Sequence, residues 1–154
     1  MSAPTRGLRA FVEADREALG DLWVAAWSET GFSIDFEARR AWLDRHLDAL
    51  RADGVVVLVA LDADGRPAGF VTIDPNSGYL DQLCVAPREL GSGLAQALLI
   101  EAKRRSPSVV ELDVNEANGR ALRFYEREGF RAITRGLSAQ SGLPTLRMRW
   151  TAEA

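Results

Sequence analysis

A glycine-containing loop is the first place where this sequence could bind a ligand. Gly91 and Gly93 stand at the start of a predicted helix, shortly after a hydrophobic run that ends at Ala86. Glycine lets an anion approach the backbone, and the first helical turn offers free N–H groups and the positive end of the helix dipole. The loop therefore predicts a phosphate site, although the same glycines could simply make a tight turn.

A dinucleotide-binding unit is one interpretation of this loop. Such a unit has G-x-G-x-x-G directly after a strand and an acidic residue about 20 positions later. Glu111 and Asp113 lie near that distance, but Gln96 replaces the third glycine, and five residues separate Val85 from Gly91. A nucleotide-dependent oxidoreductase is therefore the less favoured hypothesis.

A second motif follows the loop. Asn118 and Tyr125 are two helical turns apart, so they share one face of a predicted helix with Ala121 between them. The segment 118–130, NGRALRFYEREGF, matches N-x-x-A-x-x-x-Y-x-x-x-G-F, and the loop 88–93, RELGSG, matches R/Q-x-x-G-x-G/A. In the alternative interpretation, Asn118 is only a helix cap and Tyr125 is an aromatic residue of the core.

These two motifs, preceded by LDQLCVAP and LDVNE, resemble the GNAT superfamily of acetyl-coenzyme A dependent N-acetyltransferases, especially its small bacterial YjaB-like members. The resemblance is strong over residues 78–130. It implies an acyltransferase (EC 2.3.1.-) that passes an acetyl group directly from coenzyme A to an amine, without a metal. The identity of the acceptor is left open: it could be a small-molecule amine or an amine of a protein or peptide. Whether the protein forms a homodimer is also left open.

The resemblance also implies a cofactor site. Backbone groups of the strand would bind the pantetheine arm, and the residues concerned are Leu83, Cys84 and Val85. Arg88 and the following amides would hold the pyrophosphate, and these amides belong to Leu90, Gly91, Ser92, Gly93, Leu94 and Ala95. Asn118, Ala121 and Tyr125 would line the cofactor along the later helix. Leu90 departs from the family, which usually has a basic residue there, and this could weaken phosphate binding.

The implied catalytic groups are the Val85 amide, which would stabilise the oxyanion, and the Tyr125 hydroxyl, which would protonate the departing sulfur. Asp81 is the candidate general base, because strand alternation places it on the face of Leu83 and Val85. An ordinary surface or salt-bridged role for Asp81 remains open.

Other groups are weaker catalytic candidates. Glu29 and Asp35 lie between the first two predicted helices, and His46 is expected at a core edge. Cys84 could suggest an acetyl-enzyme, but its apolar strand favours a buried structural thiol. Trp23, Trp27 and Phe32 could line an acceptor pocket, although aromatic residues at helical spacing are more often core.

Composition limits the function classes. The 154 residues are 47% hydrophobic and 27% charged with a net charge of −3, which is typical of a single soluble globular domain, 1–154. The acidic balance disfavours nucleic-acid binding, and one cysteine with one histidine disfavours a zinc site. No bilayer-spanning or export segment is recognised, so no membrane association and a cytoplasmic location are expected.

Alternating hydrophobic patterns predict the elements that position these residues. Strands are predicted over residues 8–12, 55–61, 67–73, 79–86, 109–114, 131–135 and 143–150. Helices are predicted over 13–30, 36–51, 92–105 and 118–128. The resulting order βααβββαβαββ predicts one mixed α/β (α+β) domain with a central sheet flanked by helices. A non-catalytic acyl-coenzyme A binding module on this fold is the second function hypothesis.

Overall fold

The computed structural model describes residues 7–152 and contains eleven regular elements in the predicted order βααβββαβαββ. The strands are β1 (Arg9–Ala10), β2 (Val56–Leu61), β3 (Pro67–Ile73), β4 (Leu80–Val85), β5 (Val109–Asn115), β6 (Arg131–Leu137) and β7 (Pro144–Thr151). The helices are α1 (Arg16–Ser28), α2 (Arg40–Ala52), α3 (Leu94–Arg105) and α4 (Gly119–Arg127). The predicted fold class is confirmed. The ends of the predicted domain, residues 1–6 and 153–154, lie outside the described residues, and the domain boundaries stay a prediction.

The strands form two sheets that meet at one point. Strands β1 to β4 pair antiparallel in sequence order, and β5, β7 and β6 form a second antiparallel sheet. A single parallel bridge between Tyr79 and Glu111 joins β4 to β5 at the start of β4. Beyond that bridge β4 is the edge of its sheet, and we call the opening on this side the β4–β5 cleft.

Two apolar layers enclose the sheets. Buried residues of α3 and β5 pack on one face, including Leu98, Leu99 and Leu112. Helices α1 and α2 cover the other face through residues such as Leu19 and Leu43. Burial of these helical stripes is the main stabilising contribution, at about 25 cal/mol per Å² of apolar surface, and it holds α1, α2 and α4 around the β4–β5 cleft.

A bulge in β4 changes the direction of its side chains. Leu83 pairs with Val71 and Leu80 with Ile73, so Asp81 and Gln82 together oppose the single residue Thr72. The hydroxyl oxygen of Thr72 accepts a hydrogen bond from the Gln82 amide at 2.9 Å. An extra residue in one strand reverses the alternation of side chains across it.

The expectation that Asp81 shares a face with Leu83 and Val85 is therefore wrong. Leu83 and Val85 pack in the α3 layer, whereas Asp81 contacts His46 of α2. The bulge leaves no local signal in the sequence, because Thr72, Asp81 and Gln82 are ordinary strand residues.

Within residues 7–152, the helices are too short or too polar to span a bilayer.

Candidate active site

A cavity of about 410 Å³ lies where β4 and β5 separate. Its floor is formed by residues 79–83 and 112–115. Helices α1 and α2 contribute Trp27, Trp42 and His46, and α4 with its cap contributes Asn118, Ala121 and Tyr125. Residues 137–140 at the β6–β7 turn complete the wall. We call this space the main cavity; it brings together Asp81, Leu83, Asn118, Ala121 and Tyr125 among the predicted site residues.

The backbone of β4 presents free polar groups to the cleft. The Ala86 amide donates to the Ala68 carbonyl at 2.8 Å, and antiparallel pairs alternate between bonded and non-bonded along a ladder. Cys84 is therefore the next residue whose backbone faces β3, while the N–H and C=O groups of Leu83 and Val85 face away from it. These groups point into the cleft, where β4 has no neighbouring strand. Val85 lies just beyond the main cavity, on the side of the glycine loop.

Cys84 differs from its two neighbours. Its backbone is directed at Phe70 of β3, and its side chain is buried in the layer beneath α1. Burial raises the pKa of the Cys84 thiol to about 12, so a reactive thiolate is disfavoured. The interpretation as a buried structural thiol agrees with this environment, and contact of Cys84 with a cofactor stays a prediction.

The glycine loop opens onto the start of α3. Gly91 and Gly93 have φ angles of 82° and 88°, in the left-handed region that favours glycine. A Cβ built on either residue would meet no atom within 4 Å, so the space beyond these Cα atoms is open. Gly93 is the N-cap of α3, and Ser92 accepts a hydrogen bond from the Leu94 amide at 3.3 Å. The first turn of α3 leaves further N–H groups without helical partners.

The side chains of the loop that surround the glycines have contacts and exposures of their own. The Arg88 guanidinium donates to Asp62 at 3.1 Å and to the Pro67 carbonyl at 3.4 Å, which ties it to the β2–β3 hairpin. Leu90 is 48% exposed and Leu94 is buried in the core. The contact with Asp62 gives Arg88 a structural role that the sequence did not predict, and its binding to phosphate stays a prediction.

Helix α4 places the residues of the second motif on the cavity side. The Asn118 side-chain oxygen caps α4 by accepting from the Ala121 amide at 3.2 Å. This leaves the side-chain NH₂ group of Asn118 as a donor. Tyr125 is 8% exposed, and its pKa is raised by burial and then by nearby Cys84. Burial therefore favours the neutral phenol, which keeps its proton at neutral pH.

Asp81 and His46 form a hydrogen-bonded pair in the cavity. The distance from His46 Nε2 to Asp81 Oδ1 is 2.7 Å, and the same oxygen accepts from the Gln82 side chain at 3.1 Å. The imidazole stacks on Trp42 with ring centroids 4.5 Å apart. Both side chains are about one fifth exposed, at 22% and 21%. No local pattern predicts this pair, because its members are 35 residues apart in the sequence.

The other base candidates lie elsewhere. Glu29 and Asp35 are exposed, and neither lines the main cavity. Asp35 accepts a hydrogen bond from the Ala38 amide at 3.1 Å, which caps the short turn before α2. Of the three candidate carboxylates Asp81, Glu29 and Asp35, Asp81 alone combines a place in the cavity with a neighbouring group that can exchange a proton.

A second carboxylate in the cavity was also missed. Asp113 accepts from Arg147 at 2.8 and 3.0 Å and from the Tyr79 hydroxyl at 2.7 Å. Burial alone would raise the pKa of Asp113, but the hydrogen bonds from Arg147 and Tyr79 outweigh burial and lower it. Burial and then the neighbouring Asp113 raise the pKa of Tyr79. The alternation of β5 residues could have placed Asp113 on this face, but not its partners.

Residues 7–152 contain no cluster of three His, Cys, Asp or Glu side chains placed to hold a metal ion.

The fold and the motifs correspond to a known family. The model of the Acetyltransferase (GNAT) domain family matches residues 34–152, well over half of the chain. The protein belongs to the GNAT family of acetyltransferases, enzymes of class EC 2.3.1.-, and the resemblance seen in the sequence is confirmed. The oxidoreductase alternative is wrong, since a dinucleotide-binding unit needs a continuous parallel sheet and β4 and β5 share one bridge.

Two curated relatives have similar sequences. The peptidyl-lysine N-acetyltransferase YiaC of Escherichia coli is 32% identical over 89 residues, which cover 58% of this chain and 60% of YiaC. The peptidyl-lysine N-acetyltransferase YjaB of Salmonella typhimurium is 26% identical over 136 residues, 86% of this chain and 91% of YjaB. The match to YiaC thus spans less than two thirds of that protein.

Solved structures show the same fold. A GCN5-related N-acetyltransferase from Rhodopseudomonas palustris superimposes with a TM-score of 0.80, 23% identity and 98% coverage of both chains. A phosphinothricin acetyltransferase from Sinorhizobium meliloti, crystallised in complex with AcCoA, has a TM-score of 0.75 and 18% identity, with coverage of 96% of this chain and 89% of that one.

Proposed function

We propose that this protein is an acetyl-coenzyme A dependent N-acetyltransferase that transfers the acetyl group directly to an amine. The observation that carries this proposal is the β4–β5 cleft. There, free backbone groups of Leu83 and Val85 face the open edge of β4, Asn118, Ala121 and Tyr125 line the cavity beside Leu83, and β4 leads on into the glycine loop. An extended chain with amide groups, such as pantetheine, can replace the missing strand partner.

The residues around the cleft fit coenzyme A. The open backbone at Gly91 and Gly93 and the free amides of the first turn of α3 suit a pyrophosphate. Ser92, Leu94 and Ala95 contribute backbone to this loop, while Ala121 gives a small surface beside the pantetheine. The Asn118 side-chain NH₂ group can donate to an amide carbonyl of the pantetheine arm. When bound, the thioester supplies the activated acetyl group.

Asp81 would prepare the acceptor. An amine is mostly an ammonium ion at neutral pH and must lose a proton before it can attack a carbonyl. While Asp81 is ionised, the Nε2–H group of His46 donates to it across the 2.7 Å contact. Asp81 accepts the proton of the amine, and once the imidazole hydrogen has moved to Nδ1 through solvent, the protonated carboxyl can pass its proton to Nε2. His46 is partly exposed, so the proton can leave to solvent from the imidazole.

Val85 and Tyr125 would act on the thioester. The Val85 amide donates a hydrogen bond to the thioester carbonyl oxygen as it gains negative charge, an effect of about 10²–10³ in rate for one such donor. The carbon–nitrogen bond forms and the carbon–sulfur bond breaks. Tyr125 gives its proton to the departing sulfur and regains one from the new amide nitrogen, so the products are a neutral acetamide and the free thiol.

Ligand binding and turnover test this proposal. Acetyl-coenzyme A should raise the melting temperature, and NAD should not, because a ligand that binds only the native state stabilises it. Thiol release from acetyl-coenzyme A should then rise above its amine-free rate across a panel of amines. Stabilisation by NAD alone would contradict the proposal.

Binding of acetyl-coenzyme A without amine-dependent thiol release would instead support the non-catalytic acyl-coenzyme A module. The relatives YiaC and YjaB are named peptidyl-lysine N-acetyltransferases, so the panel should include a lysine peptide. A cytoplasmic location and a homodimer stay predictions.

A further inference from the structure

A second space opens beside the main cavity. It has a volume of about 110 Å³ and lies between α1, the segment that leads into α2, and the turn before β7. Trp27, Trp42 and Gln82 line both spaces. We call the second space the side cavity. A molecule whose amine lies at Asp81 can therefore extend its carbon skeleton into the side cavity.

The wall of the side cavity formed by α1 and the segment before α2 is mainly aromatic and held in place by packing, whereas Ser138, Gln140 and Ser141 make the opposite wall polar. Trp27 stacks on Phe36 with ring centroids 5.6 Å apart, and its distance from Phe32 is 6.4 Å. Trp23 lies behind them, 5.8 Å from Phe36 in an edge-on arrangement. Rings that already contact one another lose little conformational freedom when a ligand binds. A cavity of about 150 Å³ lined by apolar groups binds benzene, so this space is of a size for one ring or a branched apolar group.

The charges around the two cavities favour a single cation. Arg39 is the one ionisable residue among those that line the side cavity, and its guanidinium donates to the Gln140 carbonyl at 3.4 Å. In the main cavity Asp113 is already neutralised by Arg147, which leaves Asp81 as the carboxylate available to an ammonium. A second ammonium on the acceptor would meet Arg39, and like charges repel each other.

We infer that the acceptor is a monoamine in which the amine is joined to an aromatic ring or a branched apolar group, and that polyamines are poor acceptors. The inference rests on the proposed function, since it assigns the substrate class of the same site. Asp81 binds and deprotonates the amine, Trp27 and Phe36 contact the apolar group, and Arg39 excludes a distal cation.

Matched acceptors test the inference. Heptylamine and 1,6-diaminohexane have the same chain length and differ in a terminal methyl or ammonium group, and 4-phenylbutylamine adds a ring. We expect kcat/KM for thiol release to be at least about tenfold higher with heptylamine than with the diamine, and highest with the phenyl compound. Equal or faster turnover of the diamine would overturn the inference, and so would a lysine peptide that exceeds all three.

Two variants on the α2 side of the molecule sharpen the test. Arg39→Glu replaces the repelling charge by an attracting one. The ratio of kcat/KM with heptylamine to kcat/KM with the diamine should therefore fall at least about fivefold. Arg45→Glu makes the same charge change on α2 at an exposed residue outside the lining of both cavities, and should leave the ratio unchanged. Equal effects of the two variants would contradict a direct role of Arg39.

Failure of the inference can be told apart from failure of the proposed function. Acetyl-coenzyme A binding is measured first by thermal shift, without any amine. Amine binding is followed separately by quenching of tryptophan fluorescence, because Trp27 and Trp42 line the cavities. If no acetyl-coenzyme A binds, the proposed function is wrong, and amine quenching still measures whether monoamines are preferred. If acetyl-coenzyme A binds, and the diamine quenches the tryptophan fluorescence at the same concentration as heptylamine does, only the inference is wrong.

Discussion

Two carboxylates line the same cavity from facing strands, and their partners differ. Asp113 on β5 accepts two hydrogen bonds from Arg147 and one from Tyr79. Asp81 on β4 is held by the His46 imidazole and by the Gln82 amide. A guanidinium stays charged at any relevant pH, whereas an imidazole can take up or release a proton near neutrality.

This difference separates a structural carboxylate from one suited to chemistry. Asp113 has a lowered pKa because Arg147 and Tyr79 stabilise its ionised form. Its carboxylate is therefore a weak base. Asp81 has no guanidinium partner among the contacts of the described residues, and its neighbour provides a route for the proton. Two aspartates that line one cavity can thus have different functions because of what packs against them.

Replacing the two aspartates in turn should produce the largest contrast. General base catalysis contributes about 10²–10⁴-fold, so Asp81→Asn should lower kcat/KM by that range with a strongly basic amine at neutral pH. Asp113→Asn should change kcat/KM by less than about fivefold. The measurement is thiol release with both variants under identical conditions. Similar losses of kcat/KM in the two variants would contradict the assignment of a catalytic role to Asp81 and a structural role to Asp113.

An acceptor of low basicity refines this comparison. Such an amine is already neutral at neutral pH and does not need a base. The loss of kcat/KM caused by Asp81→Asn should therefore be smaller with this amine. His46→Gln should show a smaller deficit with the same dependence on amine basicity. A deficit that is independent of the amine would mean that Asp81 positions the acceptor rather than deprotonating it.

Tyr125 tests the cofactor side of the cavity. Tyr125→Phe removes the proton donor and keeps the ring, which lies 5.5 Å from Phe130 in the core. We expect kcat to fall at least about tenfold while the Kd of acetyl-coenzyme A barely changes. Unlike Asp81→Asn, this loss should not depend on amine basicity. The assay needs an acceptor for which chemistry limits the rate, since slow product release would hide the loss.

A pair of glycines separates binding at the loop from backbone strain. Gly93 and Gly54 have φ angles of 88° and 86°, and a Cβ on either would meet nothing within 4 Å. Valine at either position should cost about 1–2 kcal/mol of stability, since both require a left-handed backbone. Only Gly93→Val should also raise the Kd of coenzyme A, by at least about tenfold. An equal Kd in both variants would make the loop a simple turn.

The smallest effect concerns the pH dependence of stability. Because Asp113 has a lowered pKa in the folded protein, its stabilising contribution is present above the unfolded value of about 3.9 and is lost as the pH falls through the lower folded value. Asp113→Asn should cost about 1 kcal/mol at pH 7, since both partners are about one third exposed and screened by solvent.

Urea unfolding at several pH values measures this contribution. The difference in free energy of unfolding between wild type and Asp113→Asn should narrow below about pH 4. Asp64→Asn is the control, because Asp64 is 77% exposed in the β2–β3 hairpin. A difference that stays constant with pH would mean that the Arg147 contact does not depend on the ionised carboxylate.

Local patterns in the sequence determined the element order and much of the cavity wall that α4 contributes. The turn at Asp62 to Gly65 follows from its Asp and Gly residues, and the Gly65 amide donates to the Asp62 carbonyl at 3.0 Å. Asn118, Ala121 and Tyr125 share a helix face because helical periodicity fixes which residues lie together. These features depend on neighbours within two helical turns, so a pattern of residue types is sufficient to predict them.

Only the tertiary structure decided the acceptor side. The bulge opposite Thr72 turned Asp81 toward α2, where His46 covers it, and Arg88 found its partner in the hairpin rather than in its own loop. Periodicity tells which face of an element is apolar, but not which distant element packs on it or in what register. The His46–Asp81 pair depends on both, because its members meet only after α2 has packed across the sheet.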